Sequence, residues 1–259
     1  MKLTFLGSGS FFTQEGNFHS NLLLDSGDGS SLLIDCGTDI RWSLKAAGRS
    51  FKEIDAVYIS HLHADHAGGL EWFGFANYFS QPQRHPSLFI HESYAEGLWE
   101  YLREGMETLS EKQATLESYF DVKPVSHRFR WSTANFRLVP AVHVVNNAIG
   151  HLYSYGLSMT INGVRIFLTT DVGMSDLPLA DGDWDLDAFW KEYEKADLIF
   201  HDCQTQGKSD VHPSYDILKG LPENIRQKTW LYHYQDGPLP PATEDGFLGF
   251  VNRGDAFEF

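Results

Sequence analysis

The sequence is poor in cysteine and contains no long hydrophobic run. Its 259 residues include two cysteines, Cys36 and Cys203, which offer no disulfide framework and favour a reducing compartment. No apolar stretch approaches the roughly 20 residues that a membrane-spanning helix requires. The amino terminus also lacks the apolar region and the small-residue cleavage site of a signal peptide. We therefore expect a cytoplasmic protein without membrane association.

Positive charge is scarce as well. The chain has 20 Lys and Arg against 35 Asp and Glu, which gives a formal net charge of −15 with histidine neutral. Such a surface repels polyanions and lacks the basic stripe of a nucleic-acid reader, so stable nucleic-acid binding is not expected. Small anions are not excluded by this argument. The length and the 42% apolar content predict a globular protein with a single domain over residues 1–259.

A cluster of histidines follows an apolar run in the first third of the chain. The run Ile54–Ile59 predicts a buried strand, and four side chains of metal-ligand type come directly after it: His61, His63, Asp65 and His66. Chemistry in α/β folds usually lies at the carboxyl ends of strands. Imidazole nitrogen and carboxylate oxygen suit Zn²⁺. The alternative is a polar loop that is merely rich in histidine, but H-x-H-x-D-H after a strand is rare by chance.

The glycines near the amino terminus do not form a dinucleotide-binding motif. Gly7 and Gly9 follow a strand predicted over residues 2–6, but Phe12 stands where the third glycine is needed and no helix is predicted there. A turn beside the active site is favoured instead. Cys36 is interpreted as a small buried residue rather than a nucleophile, because no base is evident beside it.

The segment from Glu92 to Phe120 is charged and has a helical pattern. Ser110 and Gln113 have the spacing of a capping box. Two interpretations stay open: a lid or dimer contact over residues 92–120, or a surface helical pair without such a role. Strands are predicted again over 136–142, over 153–170 as a hairpin turning at Asn162-Gly163, over 198–201 and over 229–232. Tyr193 has the helical spacing of a core residue.

The stretch His-Leu-His-Ala-Asp-His-Ala-Gly-Gly-Leu, which ends at Leu70, resembles the signature loop of the metallo-β-lactamase superfamily. The resemblance implies an α/β fold, a four-layer αββα sandwich with a two-metal site at one edge of the sheets. Groups of β–β–α elements before and after the middle of the chain fit that architecture. The resemblance also implies that His61 and His63 bind a first metal, while Asp65 and His66 bind a second.

Three later ligands are expected where strands end, and the chain has candidates in the family's order: His143, Asp171 and His233. A lone histidine at a strand end is usually structural, but three matches in order favour ligands. The resemblance implies that His143 completes the first site, that His233 completes the second, and that Asp171 bridges the two. Two Zn²⁺ are the expected cofactors, with Mn²⁺ or Fe²⁺ as possible replacements. The positive charge of the two ions exceeds the negative charge of the ligating carboxylates, which favours an anionic phosphodiester substrate.

The carboxyl-terminal part resembles the tRNase Z branch of this superfamily. The similarity lies in Phe-His-Asp-Cys-Gln-Thr over residues 200–205, Val-His-Pro-Ser over 211–214, and Leu-Tyr-His ending at His233. It implies that Asp202 orients His212 and that His212 protonates the leaving oxygen, while Asp65 helps to hold and deprotonate the attacking water. The alternative for His212 is a capping or surface residue before Pro213.

Two features of tRNA-processing members are missing. Those proteins carry a long basic arm before the bridging aspartate, but only 27 residues separate His143 from Asp171. The Arg-Asn pair expected after the first glycine loop is also absent. The chain is more similar to the armless phosphodiesterases of this branch, including the anti-Pycsar proteins that destroy cyclic nucleotide signals.

We therefore predict a dinuclear zinc phosphodiesterase that hydrolyses small 3′,5′-cyclic nucleotides and counteracts such signalling in anti-phage defence. It is expected to be a homodimer. Four aromatic residues are candidates for stacking on the base: Phe11, Phe12, Phe18 and Tyr155. The alternatives are a tRNA 3′-processing endonuclease and a non-catalytic protein that sequesters a nucleotide.

Overall fold

The strands and helices of the computed structural model follow the predicted mixed α/β pattern. The structure describes residues 1–14, 16–81, 84–110, 112–173, 186–207 and 210–259. Within them the strands are β1 (Lys2–Phe5), β2 (Leu22–Asp25), β3 (Ser31–Ile34), β4 (Ile54–Ile59), β5 (Ser87–His91), β6 (Thr108–Leu109), β7 (Lys112–Gln113), β8 (Asp121–Val125), β9 (Arg128–Trp131), β10 (Ala134–Val144), β11 (Leu152–Ile161), β12 (Val164–Leu168), β13 (Leu198–Asp202), β14 (Thr229–Tyr232), β15 (Gly249–Phe250) and β16 (Ala256–Glu258). The helices are α1 (Ile40–Ala46), α2 (Ala64–Ala67), α3 (Leu70–Ser80), α4 (Glu92–Met106), α5 (Leu186–Lys195), α6 (Tyr215–Lys219) and α7 (Glu223–Arg226).

The chain folds into two compact units. The first unit contains Met1–Gly7, Gly16–Ser126 and Arg253–Glu258, and the second contains Ser8–Glu15, His127–Asn252 and Phe259. Each unit is built around one seven-stranded sheet. The prediction that both belong to a single domain stays a prediction. No helix among the described residues is both long and apolar enough to cross a membrane.

The sheet of the first unit has the strand order β16-β1-β2-β3-β4-β5-β8. The pairs from β3 to β8 are parallel, so the carboxyl ends of these strands share one edge. Apolar side chains of α1, α3 and α4 pack in one core cluster with those of the sheet, among them Ile40, Phe73, Leu98, Val57 and Leu88. The segment after β4, which carries the histidine cluster, therefore begins at a fixed edge of a packed sheet.

The sheet of the second unit has the strand order β15-β14-β13-β12-β11-β10-β9. The pairs from β9 to β12 are antiparallel, and those from β12 to β15 are parallel. Phe189 of α5 and Phe167 of β12 belong to its core cluster. Because β12, β13 and β14 are adjacent and parallel, the residues at their carboxyl ends come close together.

Several predicted elements are confirmed closely. The strands predicted over residues 54–59 and 229–232 are β4 and β14. The predicted hairpin is formed by β11 and β12, and its turn has positive φ angles of 48° at Asn162 and 87° at Gly163. Both central residues of a tight hairpin turn need such angles, which is why an Asn-Gly pair predicts the turn well.

The helical pattern predicted from Glu92 to Phe120 extends too far. Helix α4 ends at Met106, and the two-stranded hairpin of β6 and β7 follows. Gln113 lies in β7 rather than in the first turn of a helix, and among the described residues of this segment a capping box joins Thr115 and Ser118. The physical reason is burial: the chain turns back so that apolar residues after the hairpin, among them Phe120, join the core of the sheet. The lid or dimer role of residues 92–120 stays a prediction.

Candidate functional site

The histidine cluster of the first unit lies in the short segment between β4 and α3, where His61 and His63 precede α2 and Asp65 and His66 lie within it. The ring of His61 lies 4.7 Å from that of His63 and 4.2 Å from that of His66, measured between centroids. Asp65 Oδ2 lies 3.2 Å from His66 Nε2. His61, Asp65 and His66 are buried, while His63 is partly exposed. All four predicted ligands of this unit are thus brought together.

Asp35 anchors this segment through hydrogen bonds, and it was not among the candidate site residues predicted from the sequence. The residue directly follows β3, and its carboxylate accepts hydrogen bonds from the Ser60 backbone N–H at 2.8 Å and from His66 Nδ1 at 2.7 Å. Because His66 donates from Nδ1, its Nε2 keeps the lone pair that a metal ligand needs. In the sequence, Asp35 is visible as a carboxylate directly after β3. Its role follows only from the pairing of β3 with β4, which the sequence does not show.

Close backbone contacts join the Asp35-Cys36-Gly37 segment to the histidine cluster. The Cys36 N–H donates to the His66 carbonyl at 2.6 Å, and the Gly69 N–H donates to the Cys36 carbonyl at 2.8 Å. A Cβ atom at Gly37 would overlap the carbonyl oxygen of Asp65 and would lie 2.9 Å from His19 Nδ1. Glycine is therefore required at this position so that the two segments can touch.

Replacing Gly37 with alanine is expected to lower the free energy of unfolding by about 1–3 kcal/mol, the usual cost of inserting a group into packed surroundings. Urea unfolding followed by circular dichroism measures the change. Gly97→Ala is the matched control, because a Cβ there lies 3.5 Å from Leu62 Cδ1, in ordinary contact. Gly97 lies inside α4, so that substitution is expected to stabilise by roughly 0.5–1 kcal/mol. Equal effects of the two substitutions would contradict the close-contact argument.

In the second unit, Asp171 lies between two histidines. Its Oδ2 atom is 3.5 Å from His143 Nε2 and 3.5 Å from His233 Nε2. His143 occupies a β-bulge of β10 between Val142 and Val144, which is a common way to redirect a side chain. All three ligand candidates are buried. The predicted ligands of this unit are therefore adjacent, although His143 lies inside β10 rather than after it.

The tautomer of His143 and the backbone at the strand ends fit metal binding. His143 Nδ1 lies 2.9 Å from the Val211 carbonyl, which can only accept, so Nδ1 carries the proton and Nε2 the lone pair. Asp35, Thr170 and His233 have positive φ angles of 63°, 54° and 60°. Non-glycine residues in this region cost of order 1–3 kcal/mol each and cluster at functional sites.

His212 and Asp202 form the predicted carboxylate–histidine pair. His212 Nδ1 donates to Asp202 Oδ2 at 3.0 Å, and His212 Nε2 lies 4.0 Å from Asp171 Oδ2. The side chain of His212 is 14% exposed, whereas that of Asp202 is fully buried. Burial alone would raise the pKa of Asp202, but hydrogen bonds from His201 and His212 outweigh it and hold the pKa below the usual value. The carboxylate therefore stays charged beside an imidazole that solvent can reach.

The donor chemistry of both units fits divalent metal ions. Imidazole nitrogens and carboxylate oxygens are the ligands that zinc and manganese take in proteins. Among the described residues, ligand atoms of His143 and Asp171, and likewise of Asp171 and His233, lie within 4.8 Å of each other. The same spacing holds for His61 with His63 and for Asp65 with His66. These His and Asp clusters could hold metal ions.

Comparison with known proteins identifies the family. A family model described as anti-Pycsar protein Apyc1 matches residues 1–257. The anti-Pycsar protein Apyc1 of Paenibacillus harenae is 38% identical over 242 residues, which cover 91% of this chain and 90% of that protein. The protein of the same name from Bacillus phage 010DV004 is 30% identical over 271 residues, covering 99% and 98% of the two chains.

The fold prediction is confirmed by a solved structure. The metallo-β-lactamase fold protein YhfI from Bacillus subtilis superposes with a TM-score of 0.72 at 18% identity, covering 99% of this chain and 98% of that one. The mixed sheets and helices described above agree with that fold, so the predicted metallo-β-lactamase fold class is correct. Together with the sequence match along nearly the whole chain, this assigns the protein: it belongs to the anti-Pycsar protein Apyc1 family.

Proposed function

We propose that this protein is a metal-dependent phosphodiesterase that hydrolyses 3′,5′-cyclic nucleotides and thereby counteracts cyclic nucleotide signalling in anti-phage defence. The proposed cofactors are two Zn²⁺ per chain, with Mn²⁺ as a possible replacement. The proposed location is the cytoplasm, and the proposed assembly is a homodimer. Membership of the anti-Pycsar protein Apyc1 family supports the nucleotide substrate.

The arrangement around Asp171 is the observation that carries this proposal. One carboxylate oxygen faces two imidazole Nε2 atoms, each 3.5 Å away, as a bridging ligand between two cations would. We assign three histidines to the first ion (His61, His63 and His143), three residues to the second (Asp65, His66 and His233), and Asp171 to both. When bound, the two ions would supply Lewis acidity toward a phosphoryl oxygen and lower the pKa of the attacking water.

The residues of the chain perform the proton transfers. Asp65 helps to hold and deprotonate the water whose oxygen forms the new bond to phosphorus. As the bond between phosphorus and the ribose oxygen breaks, His212 delivers the proton from Nε2 to that oxygen. Asp202 accepts the Nδ1 hydrogen bond at 3.0 Å, so its negative charge stabilises the protonated imidazole before the transfer. A proton donor must be accessible to the substrate, which agrees with the partial exposure of His212. Asp202 only orients the imidazole and can be buried.

The path of the chain between His143 and Asp171 supports a small substrate. Beyond the end of β10 and a turn, β11 and β12 use this segment almost completely, which leaves no room for the arm that grips tRNA in processing nucleases. The net charge of −15 also disfavours a folded RNA, because RNA binding relies on many phosphate contacts and counterion release. A cyclic mononucleotide carries one phosphodiester and needs no such surface.

An aromatic loop of the second unit supports binding of a base. The Ser8 carbonyl accepts from the His233 N–H at 2.7 Å, and the Ser10 N–H donates to the Tyr234 carbonyl at 3.0 Å. This anchors a loop on which Phe11 is 47% and Phe12 77% exposed. Stacking of a base on such a ring contributes about 1–3 kcal/mol and reads no hydrogen-bond pattern. We therefore expect limited discrimination among bases.

A substrate panel tests the proposed function. Metal-loaded protein is incubated with cyclic mononucleotides, cyclic dinucleotides and a precursor tRNA with a 3′ trailer, and products are separated by chromatography. We expect ring opening of the mononucleotides, loss of this activity on chelation, and recovery with Zn²⁺ or Mn²⁺. Trailer removal without cyclic nucleotide turnover would favour the processing nuclease. Tight nucleotide binding without turnover would favour the sequestering protein.

A further inference from the structure

A buried chain of hydrogen bonds continues behind Asp202 toward α5. His201 Nδ1 lies 2.7 Å from the Asp202 carbonyl oxygen and 3.1 Å from Asp202 Oδ1. His201 Nε2 lies 2.5 Å from the hydroxyl of Tyr193 on α5. Tyr193, His201 and Asp202 are each 0% exposed. A continuous row of polar groups therefore joins the proposed proton donor, His212, to a tyrosine inside the core.

The direction of each hydrogen bond in this row is determined by the groups themselves. Both atoms near His201 Nδ1 are oxygens that can only accept, so Nδ1 carries the proton. His201 Nε2 then accepts from the Tyr193 hydroxyl. Burial, and to a smaller extent the charge of Asp202, raise the pKa of Tyr193 well above its usual value, so the phenol keeps its proton. Each proton in the row thus points toward Asp202.

The two oxygens of Asp202 have separate partners, which defines the orientation of the carboxylate. Oδ2 accepts from His212 Nδ1 at 3.0 Å and from the Val172 N–H at 3.1 Å. Oδ1 faces His201 Nδ1 at 3.1 Å and accepts a longer hydrogen bond, 3.4 Å, from the Thr169 hydroxyl. If the proton on His201 Nδ1 moved to Nε2, Oδ1 would face a nitrogen lone pair at 3.1 Å in place of an N–H group, and the two would repel each other. The carboxylate could then turn away from His212.

Tyr193 is held where it can select the tautomer of His201. Its ring stacks on the imidazole with centroids 5.6 Å apart and an interplanar angle of 15°. Phe167 and Phe189 contact its other sides edge to face, with centroids 5.6 and 5.2 Å away. A tyrosine that only filled space would need no hydroxyl in this apolar setting, and phenylalanine would pack in the same volume.

We propose that Tyr193 and His201 are positioning residues for proton donation by His212, acting through the carboxylate of Asp202. This inference rests on the proposed phosphodiester hydrolysis. The Tyr193 hydroxyl keeps the His201 proton on Nδ1, where it is donated to the Asp202 backbone carbonyl and faces Oδ1, and Oδ2 then orients the imidazole of His212. The row carries no proton to the substrate itself; only His212 does so.

Two substrates that differ in their leaving group separate this role from simple stabilisation of the fold. The ribose oxygen of a cyclic nucleotide leaves poorly unless it is protonated, whereas p-nitrophenolate leaves without a proton. For Tyr193→Phe we expect kcat for the cyclic nucleotide to fall about tenfold, part of the ~10²–10⁴-fold that a general acid supplies. Hydrolysis of bis(p-nitrophenyl) phosphate should change less than threefold.

Tyr119→Phe is the matched control. Tyr119 is a buried tyrosine of the first unit whose hydroxyl donates to the Met106 carbonyl at 2.6 Å. This variant also loses a buried hydrogen bond, but both substrates should be hydrolysed at the wild-type rate. Equal loss on the two substrates in Tyr193→Phe, or no loss on either, would overturn the positioning role.

A spectroscopic measurement keeps the inference testable even without turnover. If wild-type protein hydrolyses neither substrate, the proposed function fails, and the inference is then decided by proton NMR. The His212 Nδ1–H group bonded to Asp202 should give a low-field resonance that His212→Gln lacks. Tyr193→Phe should shift or broaden that resonance and Tyr119→Phe should not. An unchanged resonance in Tyr193→Phe would overturn the proposal.

Discussion

Replacing Asp171 with alanine is expected to remove most of the bound metal and nearly all hydrolysis. In the proposed assignment this carboxylate is shared by both ions, and its Oδ2 lies 3.5 Å from a histidine of each set. Its loss should therefore reduce metal affinity by more than the ~10–100-fold typical of changes to groups that only support a ligand. Elemental analysis of protein purified by gel filtration in zinc-containing buffer measures the effect.

Asp197→Ala is the control for this experiment. Asp197 also belongs to the second unit, but it pairs with Arg165 at 2.8 Å on the surface, and its side chain is 46% exposed. Exposed pairs of this kind contribute about 0–1 kcal/mol to stability. This variant should keep the metal content and the activity of the wild type. Unchanged metal content in Asp171→Ala would refute the ligand assignment.

His212→Ala is expected to lose ~10²–10⁴-fold in kcat while the metal content stays at the wild-type level. The prediction follows from geometry: Nδ1 is held by Asp202 at 3.0 Å, and the ring is 14% exposed. The proposed metal ligands of the second unit do not include His212. Steady-state kinetics on a cyclic nucleotide, combined with elemental analysis, separate the loss of a proton donor from the loss of metal.

Two further variants complete this test. Asp202→Asn should lose less activity than His212→Ala, in the same direction, because the imidazole remains but loses its charged partner. His127→Ala removes an exposed histidine of the same unit and should leave kcat unchanged. Turnover of His212→Ala at the wild-type rate would exclude the proton-donor role and favour the interpretation of His212 as a capping or surface residue.

Local patterns in the sequence predict the central parts of the fold well. Strands β4 and β14 are mostly apolar because nearly all of their side chains are buried or half-buried, and such runs are conspicuous in a sequence. Strands β8 and β9 were not predicted. Their exposed residues include Lys123, Pro124, Arg128 and Arg130, and such polar residues at the borders of a sheet hide the strand pattern.

Residues whose role depends on partners distant in the sequence are harder to identify from the sequence alone. Asp35 supports His66 only because β3 and β4 are adjacent in the first sheet, and no spacing in the sequence shows that pairing. Tyr193 has the helical spacing of a core residue, and it is one. Its hydrogen bond to His201 depends on the packing of α5 against β13. The sequence therefore reveals candidate ligands, whereas the residues that orient them require the tertiary structure.

Strand β8 has a consequence for how two copies of the chain can associate. It is the outermost strand of the first sheet, next to β5. Pro124 offers no backbone donor, and Asp121 and Lys123 are exposed charges; natural sheets use such features to prevent pairing edge to edge. A dimer with one continuous sheet across β8 is therefore disfavoured. The same features disfavour ordered aggregation through this strand.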